Sequence, residues 1–577
     1  MKALLRIYKE ARKYWGYIVF STISLFLITG ANLISPGIMQ KLVSILESGI
    51  KGNTAVKQVA ILAILLTAIY LFQSVFRYFN NYYSHLAAWR FVSEIRVKVY
   101  NHLQKLSLSF YQDKQTGSLM SRVVQDTRHF EHLIAHAIPE LISALITFIG
   151  VTIILFFNNW KLALLTCIPI PFLAFATPVL HKIRKQHRKA QKEIAVFNAA
   201  LQDNISGIKE IQIFNQQENE SNRITQLSDK HAGSLIKALW YSAFFHPAIG
   251  FLTSLGNVIV IGFGGYLVLK GDMLISEITG FLMYLSMFYS PISSFARIFE
   301  DMQSGIVGGE RIFEILDIEP DIKDKENAID IPIGKGEIEF KNVSFSYRDD
   351  IKVLKNLDIK FESKKMYAIV GATGVGKTTL AALIPRFYDP TEGDILIDGK
   401  NLKDVTLKSL RNNISMVLQD VFLFHGTIKE NIVYGARNAT EEEIIKAAKT
   451  ACIYDFIMSL PEKWDTVVGE RGMRLSGGQK QRISIARSIL SESSVLVMDE
   501  ATSAVDTETE TQIKNAINSL AGSRTMIVIA HRLSTVKAAD KIIVLHEGNV
   551  AETGTHDELI AKDGIYKNLV KLQSIKD

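Results

Sequence analysis

Six apolar segments, each long enough to cross a lipid bilayer, lie within the first 300 residues of this 577-residue chain. The hydrocarbon layer of a bilayer is ~30 Å thick, so a helix that crosses it needs about 20 apolar residues. Backbone polar groups in lipid must be bonded within the segment, and apolar runs of this length therefore fold as helices. The sequence predicts a membrane α-helical bundle of six transmembrane helices over residues 1–306. The segments begin near Trp15, Val59, Ala137, Leu162, Phe244 and Ile278.

The basic residues gather on one side of the predicted bundle. Residues 1–300 contain 29 Lys and Arg against 16 Asp and Glu, whereas residues 301–577 contain 36 against 42. Basic clusters occur at the N-terminus and after the second and fourth segments, while the opposite loops hold few. The positive-inside rule then predicts a multi-pass protein of the cytoplasmic membrane with both termini in the cytoplasm. The net charge of +7 is interpreted as a topology signal, and no nucleic-acid partner is predicted.

Two stretches without helix-breaking residues extend the predicted helices beyond the lipid. Neither Gly nor Pro occurs between Asn53 and Thr116, nor from Val179 to Ser206. At 1.5 Å per residue, fifty helical residues span roughly 75 Å, more than twice the thickness of the hydrocarbon layer. We therefore predict long cytoplasmic extensions on which a soluble domain sits.

The remainder of the chain has the pattern of an α/β domain. Residues 307–335 are acidic, lack membrane periodicity and are interpreted as a linker. From residue 336 onward, short apolar strands alternate with helical segments; Met366–Val370 and Val495–Met498 are examples. This alternation is typical of an α/β fold, which we predict over residues 336–577.

A glycine-rich loop follows the strand Met366–Val370. Its sequence fits the P-loop pattern, in which backbone N–H groups surround phosphates at a helix N-terminus. Lys377 is predicted to reach the β- and γ-phosphates of a nucleotide, and the Thr378 hydroxyl to ligate Mg²⁺. A chance glycine-rich turn is improbable with so many constrained positions in a strand-to-helix context. The pattern occupies Gly371, Ala372, Thr373, Gly374, Val375, Gly376, Lys377 and Thr378.

A second group of motifs excludes P-loop kinases, GTPases and motors. The run Leu475–Gln479 precedes the strand Val495–Met498, which delivers Asp499 and Glu500. Asp499 is placed to hold Mg²⁺ through water, and Glu500 beside it to polarise the attacking water. Gln419 and His531, each just beyond a predicted strand, complete the set.

Together these motifs resemble the nucleotide-binding domain of an ABC transporter, and the six segments with their extensions resemble the membrane domain of an ABC exporter. The chain is similar to an exporter-type half-transporter over essentially its whole length. The run Thr466–Gly472 matches an exporter-type loop, and Phe110–Gly117 with Ser121 and Arg122 resembles the first coupling loop. Residues 207–219 resemble the second coupling loop.

The resemblance implies a role for each matched residue. Tyr347 would stack on adenine, Gln419 would sense the γ-phosphate and Mg²⁺, and His531 would be the switch histidine. Asp499 and Glu500 would form the Walker B pair. Asp506 belongs to a D-loop that has Val505 where Leu is usual. The Walker A loop would run from Gly371 to Thr379, and the signature motif would comprise Ser476, Gly477, Gly478 and Gln479.

The resemblance also implies a dimer, because in this family the signature of one domain completes the ATP site of another. Each predicted motif fits the family pattern, so we expect a homodimer with two competent sites, with a heterodimer left open. ATP and Mg²⁺ are the expected cofactors. ATP-induced closure of two nucleotide-binding domains would switch the membrane domains from inward-open to outward-open.

The sequence of the predicted membrane half indicates the transported molecule less clearly than the motifs indicate the nucleotide. The sixth segment carries Met and aromatic side chains, a pattern that suits an adaptable cavity or, equally, a packing surface. The leading prediction is ATP-driven export of hydrophobic or amphipathic small molecules, multidrug or lipid. The alternatives are a dedicated peptide or lipid-precursor exporter and an ATP-gated channel. The side chains in question are Phe281, Met283, Tyr284, Met287, Phe288 and Tyr289.

Overall fold

The computed structural model describes residues 2–49, 52–112, 114, 116–169, 177–347, 351–436, 438–499, 507–530 and 536–574. The chain divides into two compact units. A membrane unit comprises Met1–Gln104 and Gln115–Ile318, and an ATPase-like unit comprises Lys105–Lys114 and Glu319–Asp577.

Helices joined by short turns make up the described part of the membrane unit. A 3₁₀ turn at Ala11–Tyr14 separates its first two helices, and π-helical segments at Arg122–Asp126 and His132–Ala137 flank a short helix. The helices are α1 (Lys2–Glu10), α2 (Trp15–Glu47), α3 (Asn53–Leu103), α5 (Thr116–Ser121), α6 (Thr127–Glu131), α7 (Ile138–Asn158), α8 (Trp160–Thr166), α9 (Thr177–Ser206), α10 (Ile208–Ile213), α11 (Gln217–Leu269) and α12 (Ile275–Leu316). The helix α4 (Leu108–Gln112) lies between α3 and α5 in sequence and belongs to the ATPase-like unit.

Each of the six predicted apolar segments contains helix in its described residues, and in the fourth segment Cys167 and Ile168 form a turn. Within the part of the chain that the structure describes, three helical stretches are long and apolar enough to cross a membrane: Ala3–Glu47, Asn53–Leu103 and Thr116–Asn158. The fifth segment contains a shorter apolar helix at Thr253–Leu269, and the sixth lies in α12. The fourth segment includes residues 170–176, which lie outside the described residues.

The long helices predicted from the absence of breakers are present. α3 has 51 residues and α9 has 30, so they are roughly 75 Å and 45 Å long at 1.5 Å per residue. α11 has 53 residues although it contains Pro247. α12 continues to Leu316, so residues 307–316 of the segment interpreted as a linker are helical.

The membrane unit packs its helices around an apolar cluster from α7, α8, α11 and α12. Phe281, Tyr284, Phe288 and Tyr289 of α12 are all buried there. Gly256 of α11 permits the close approach of Tyr289, because a Cβ at Gly256 would lie 2.5 Å from the Tyr289 hydroxyl. The aromatic residues of the sixth segment are therefore packing residues.

The ATPase-like unit contains two sheets. The first is antiparallel, with the order β2 (Lys352–Phe361), β1 (Ile338–Ser346), β4 (Glu392–Ile397), β5 (Lys400–Asn401). The second has the order β10 (Asn549–Gly554), β9 (Lys541–His546), β3 (Met366–Val370), β8 (Thr525–Ile529), β7 (Val495–Asp499), β6 (Ile414–Val417). Its strands are parallel except β10.

Helices cover the second sheet, as is usual for a parallel sheet. Alternate residues of β3 enter two different cores, Met366 and Ala368 on one face, Tyr367 and Ile369 on the other. The helices are α13 (Lys377–Leu383), α14 (Leu407–Asn412), α15 (Ile428–Val433), α16 (Glu441–Thr450), α17 (Tyr454–Ser459), α18 (Gly477–Leu490), α19 (Thr507–Leu520), α20 (His556–Ala561) and α21 (Ile565–Ser574). The predicted helical membrane bundle followed by an α/β domain is confirmed.

Candidate functional site

The register of three parallel strands brings the glycine-rich loop and Asp499 to one edge of the sheet. Ile369 of β3 is paired with Ile529 of β8, and Ile529 is paired with Asp499 of β7. The loop begins two positions after Ile369, so it emerges where the Asp499 carboxylate ends its strand. Asp499 is only 4% exposed. The carboxyl edge of a parallel sheet is the usual ligand position in such folds.

The loop after β3 curls around the ammonium group of its own lysine. The Lys377 Nζ donates hydrogen bonds to the carbonyl oxygens of Gly371 and Ala372, at 2.9 and 3.0 Å. Gly376 adopts φ = +103°, and a Cβ there would lie 2.6 Å from Leu354 Cδ2, so the turn requires glycine. Ala372, Thr373 and Gly374 are exposed while Lys377 is buried. The exposed backbone of the loop therefore surrounds the positively charged ammonium group of Lys377.

Tyr347 lies beside this loop. Its hydroxyl is 3.1 Å from Thr379 Oγ1, and its ring packs edge-on against Phe345 and Tyr388 at centroid distances of 4.9 and 5.3 Å. The ring remains 47% exposed. Tyr347 is therefore held against the first turn of α13 with part of its surface open to a ligand.

The predicted signature residues form the start of α18. The Ser476 hydroxyl accepts a hydrogen bond from the Gln479 backbone N–H at 3.3 Å, and the Gln479 side chain accepts one from the Ser476 N–H at 2.8 Å. This reciprocal arrangement is a capping box. Gln479 thus stabilises the helix start, and the first turn after the cap contains the exposed Gly477 and the buried Gly478.

Gln419 lies two residues beyond β6, whose Val417 pairs with Met498 of β7. Its segment is fastened to α18 by Arg487, a residue that the motif search missed. Arg487 donates to the carbonyl oxygens of Asn431 and Phe422 at 2.8 and 3.2 Å, and to Asn431 Oδ1 at 3.0 Å. Burial lowers the pKa of Arg487 from its ordinary value. The signature helix and the Gln419 segment are joined in this way.

The exporter-type loop Thr466–Gly472 packs against the start of α15. Val467 forms an isolated bridge with Thr427, and the Val468 N–H donates to the Gly426 carbonyl at 3.0 Å. These contacts hold the loop against the start of α15. Along the chain, the loop lies between the Gln419 segment and the signature motif.

Glu500, Asp506 and His531 lie outside the described residues, so their assigned roles remain predictions. Glu500 directly follows Asp499, and His531 follows Ala530 at the end of β8 in sequence.

The short helix α4 also belongs to this unit. Ser107 and Ser109 donate hydrogen bonds to Asp321 Oδ2 at 2.7 and 2.8 Å, and the Gln112 side-chain amide donates to the Tyr388 hydroxyl at 2.8 Å. A groove of about 270 Å³ is lined by α4 residues together with Tyr347 and Tyr388. The segment that resembles the first coupling loop therefore reaches the aromatic group beside the glycine-rich loop.

The membrane unit contains a cavity of about 800 Å³. Its lining mixes hydroxyl, amide and imidazole groups with apolar side chains. Met283 and Met287 of α12 face this cavity, unlike the aromatic residues of the same helix. Other lining residues include Asn80, Asn81, His136, Ser143, Ser286 and Ser290.

Two family descriptions match the chain. The family described as ABC transporter transmembrane region matches residues 18–292, and the family described as ABC transporter matches residues 354–503. An ATP-dependent lipid A-core flippase of Syntrophus aciditrophicus (strain SB) is 39% identical over 517 residues, which are 89% of this chain and 86% of that protein.

A Staphylococcus aureus (strain NCTC 8325 / PS 47) protein, provisionally named a multidrug export ATP-binding/permease protein, is 37% identical over 581 residues. The match covers 99% of this chain and 100% of that one. A solved structure of a bacterial Atm1-family ABC exporter with ATP bound matches with a TM-score of 0.84 and 29% sequence identity. That match covers 96% of this chain and 98% of the other.

Proposed function

This chain belongs to the ABC transporter family as an exporter-type half-transporter whose ATPase domain couples ATP hydrolysis to transport, and from that premise we propose that it exports lipid-like or amphipathic molecules. The observation that carries the proposal is the shared sheet edge of the Lys377 loop and Asp499, in a chain whose membrane unit holds an 800 Å³ cavity. We assign residues 1–306 to the membrane domain, 307–335 to a linker and 336–577 to the ATPase domain.

The nucleotide chemistry follows from the loop geometry. Backbone N–H groups of residues 371–376, of which 372–374 are exposed, and the Lys377 ammonium would bind the phosphates, and the partly open Tyr347 ring would stack on adenine. Glu500 would accept a proton from the water that attacks the γ-phosphorus, while the bond to the ADP oxygen breaks. His531 and Asp506 would complete the site.

The oxygen donors at the sheet edge fit Mg²⁺. This ion prefers hard oxygen ligands and keeps several waters. The exposed Thr378 hydroxyl, the buried Asp499 carboxylate and the Gln419 amide oxygen supply such donors around the phosphate position. Mg²⁺ held there would neutralise charge that develops on the phosphates.

We infer that the functional unit is a homodimer. α9 packs along α11, and these two helices form a hairpin whose tip exposes Ile213 and Phe214 by 79% and 71%. Large apolar side chains at such a tip suit a partner surface. Each chain also carries one loop and one signature motif, and Ser476 and Gly478 would present the start of α18 to the γ-phosphate bound by the partner chain.

The cargo proposal rests on the cavity and on the relatives. Met283 and Met287 supply adaptable apolar surface, while hydroxyl and amide groups around them suit a polar headgroup. The relatives are named for lipid A-core flipping and for multidrug export. The basic clusters support a proposed location in the cytoplasmic membrane, with both termini and the ATPase domain in the cytoplasm. A peptide or lipid-precursor exporter is the second candidate, and an ATP-gated channel the third.

The test is transport into proteoliposomes of the full chain, measured with fluorescent lipid analogues and amphipathic dyes. We expect vectorial, ATP-dependent accumulation and cargo-stimulated hydrolysis. Glu500→Gln should bind ATP yet hydrolyse it at least about 100-fold more slowly, because the water loses its base. Glu441→Gln, an exposed change on α16, is the control. Undiminished hydrolysis by Glu500→Gln would overturn the base assignment, and ATP-opened conductance without accumulation would favour the channel.

A further inference from the structure

A cluster of imidazole and carboxylate groups lies on the wall of the membrane-unit cavity and takes no part in the nucleotide chemistry. It consists of His85 of α3, Glu131 of α6 and His136 of the second π-helical segment. One ligand-type atom from each lies within 4.8 Å of the others. His85 and His136 also line the cavity. From this geometry we propose that His85, Glu131 and His136 form a binding site for one divalent transition-metal ion, of the zinc class.

The distances fit a metal site. The Glu131 Oε1 atom lies 3.0 Å from His85 Nδ1 and 3.8 Å from His136 Nε2. Metal–ligand bonds of about 2.0–2.2 Å in a tetrahedron separate neighbouring ligand atoms by roughly 3.3 Å. The two observed separations bracket that value. Small side-chain rotations therefore suffice to close the three groups around one ion.

Burial distinguishes the three groups. The Glu131 side chain is 7% exposed, whereas His85 and His136 are 40% and 39% exposed. A carboxylate removed from water needs a positive partner. The imidazole rings lie between it and the cavity, so the ion would bind at the cavity wall with its remaining coordination position open to water or to cargo. Two histidines and one carboxylate with an open position match a common catalytic and transport metal environment.

The backbone conformation also favours the clustering of Glu131 and His136. In an α-helix, residues five apart point about 140° away from each other, so Glu131 and His136 would face different sides. The π-helical winding of His132–Ala137 places more residues in each turn and returns His136 to the side of Glu131. π-Segments are rare and occur frequently at functional sites. His132, whose Nε2 lies 3.8 Å from Glu131 Oε2, stands beside the cluster as a further ligand candidate.

The cluster lies just beyond the apolar part of α3. His85 lies nine residues, or about 14 Å of helix, beyond the apolar run that ends at Phe76. Since α3 supplies one ligand and the 131–136 segment supplies two, a bound ion would link these two parts of the chain at the cavity wall. This site takes no part in the nucleotide roles proposed above, although it lies on the wall of the cavity that the cargo proposal uses.

The experiment measures Zn²⁺ bound by the full chain in lipid nanodiscs after removal of any affinity tag, together with the visible spectrum of bound Co²⁺. We expect one Zn²⁺ per chain and a Co²⁺ spectrum typical of mixed nitrogen and oxygen ligands. His85→Ala, Glu131→Gln and His136→Ala should each weaken binding at least about tenfold. His136→Cys should retain Zn²⁺ binding, because a thiolate replaces the imidazole as a ligand.

His187→Ala is the matched control, since His187 is an exposed histidine of α9. Size-exclusion profiles and ATP hydrolysis establish that each variant is folded. The proposal is overturned if the wild-type chain binds no Zn²⁺ at micromolar concentrations, or if the cluster variants bind as much as His187→Ala. It is also overturned if His136→Cys and His136→Ala lose binding equally.

Discussion

The side chain of Arg487 joins α18, the predicted signature helix, to the Gln419 segment. It makes three hydrogen bonds from one planar guanidinium, two of them to carbonyl oxygens and one to Asn431 Oδ1. It also lies over the rings of Phe424 and Tyr434, at 6.0 and 5.6 Å from their centroids. Lysine reproduces the charge but not the fork of donors.

We therefore expect Arg487→Lys to destabilise the full chain by about 1–3 kcal/mol, because buried acceptors lose their donors. Thermal unfolding in detergent should show a lower midpoint. ATP hydrolysis should fall with an unchanged apparent affinity for ATP, since the nucleotide loop is untouched. Lys446→Ala, an exposed change on α16, serves as the control. Equal midpoints for Arg487→Lys and the control would contradict this role.

Single residues differ in how well the sequence reveals them. The loop at 371–378 and Asp499 could be predicted, because their chemistry is local: glycines, a lysine and a carboxylate at strand ends. The capping box of Ser476 and Gln479 also carries a readable S-x-x-Q signature. Arg487 and Asn431 could not be found this way, since they are 56 positions apart and meet only through the tertiary fold.

At the scale of elements, helix α4 is connected to the nucleotide loop through side chains. The Gln112 amide donates to the Tyr388 hydroxyl, the Tyr388 ring packs on Tyr347, and the Tyr347 hydroxyl lies 3.1 Å from Thr379. Burial raises the pKa of Tyr388 from its ordinary value. α4 follows α3 directly along the chain, which makes it the element that would pass nucleotide state to the membrane helices.

Breaking the contact between Gln112 and Tyr388 should reduce cargo stimulation of hydrolysis while basal hydrolysis changes little. Gln112→Ala and Tyr388→Phe each remove the same hydrogen bond, worth about 0.5–1.5 kcal/mol. The double variant should therefore be no worse than either single one, which a double-mutant cycle measures. Strictly additive effects would show that the two residues act separately.

Elements also differ in predictability. The lengths of α3 and α9 follow from the absence of breakers, which is a local property. The 53-residue length of α11 could not be predicted in this way, because that helix contains Pro247. The π-helical segments at residues 122–126 and 132–137 could not be predicted, because a single extra residue per turn leaves no periodic signal. The sequence could not separate the α12 methionines that line the cavity from the aromatic residues packed beside them, because both share an apolar helix.

At the scale of the whole molecule, one chain carries both proposed parts of an ATP site on different elements. The loop follows β3, and the signature begins α18. If the signature of one chain completes the loop of the other, two inactive variants should restore each other in a mixed dimer. Lys377→Ala removes the charge that faces the phosphates. Ser476→Asp keeps a good helix N-cap but places a carboxylate against the same phosphates.

Each variant alone should hydrolyse ATP at least about 100-fold more slowly than the wild type, since both of its sites are impaired. In a mixed dimer, one site combines Lys377 of one chain with Ser476 of the other, and the second site carries both changes. Random mixing makes half of the dimers mixed, so about a quarter of the wild-type activity should return if sites act independently. Purification through two different tags isolates the mixed dimer for this measurement. If the two sites act independently, absence of recovery in that dimer would mean that the loop and the signature of one chain serve the same site.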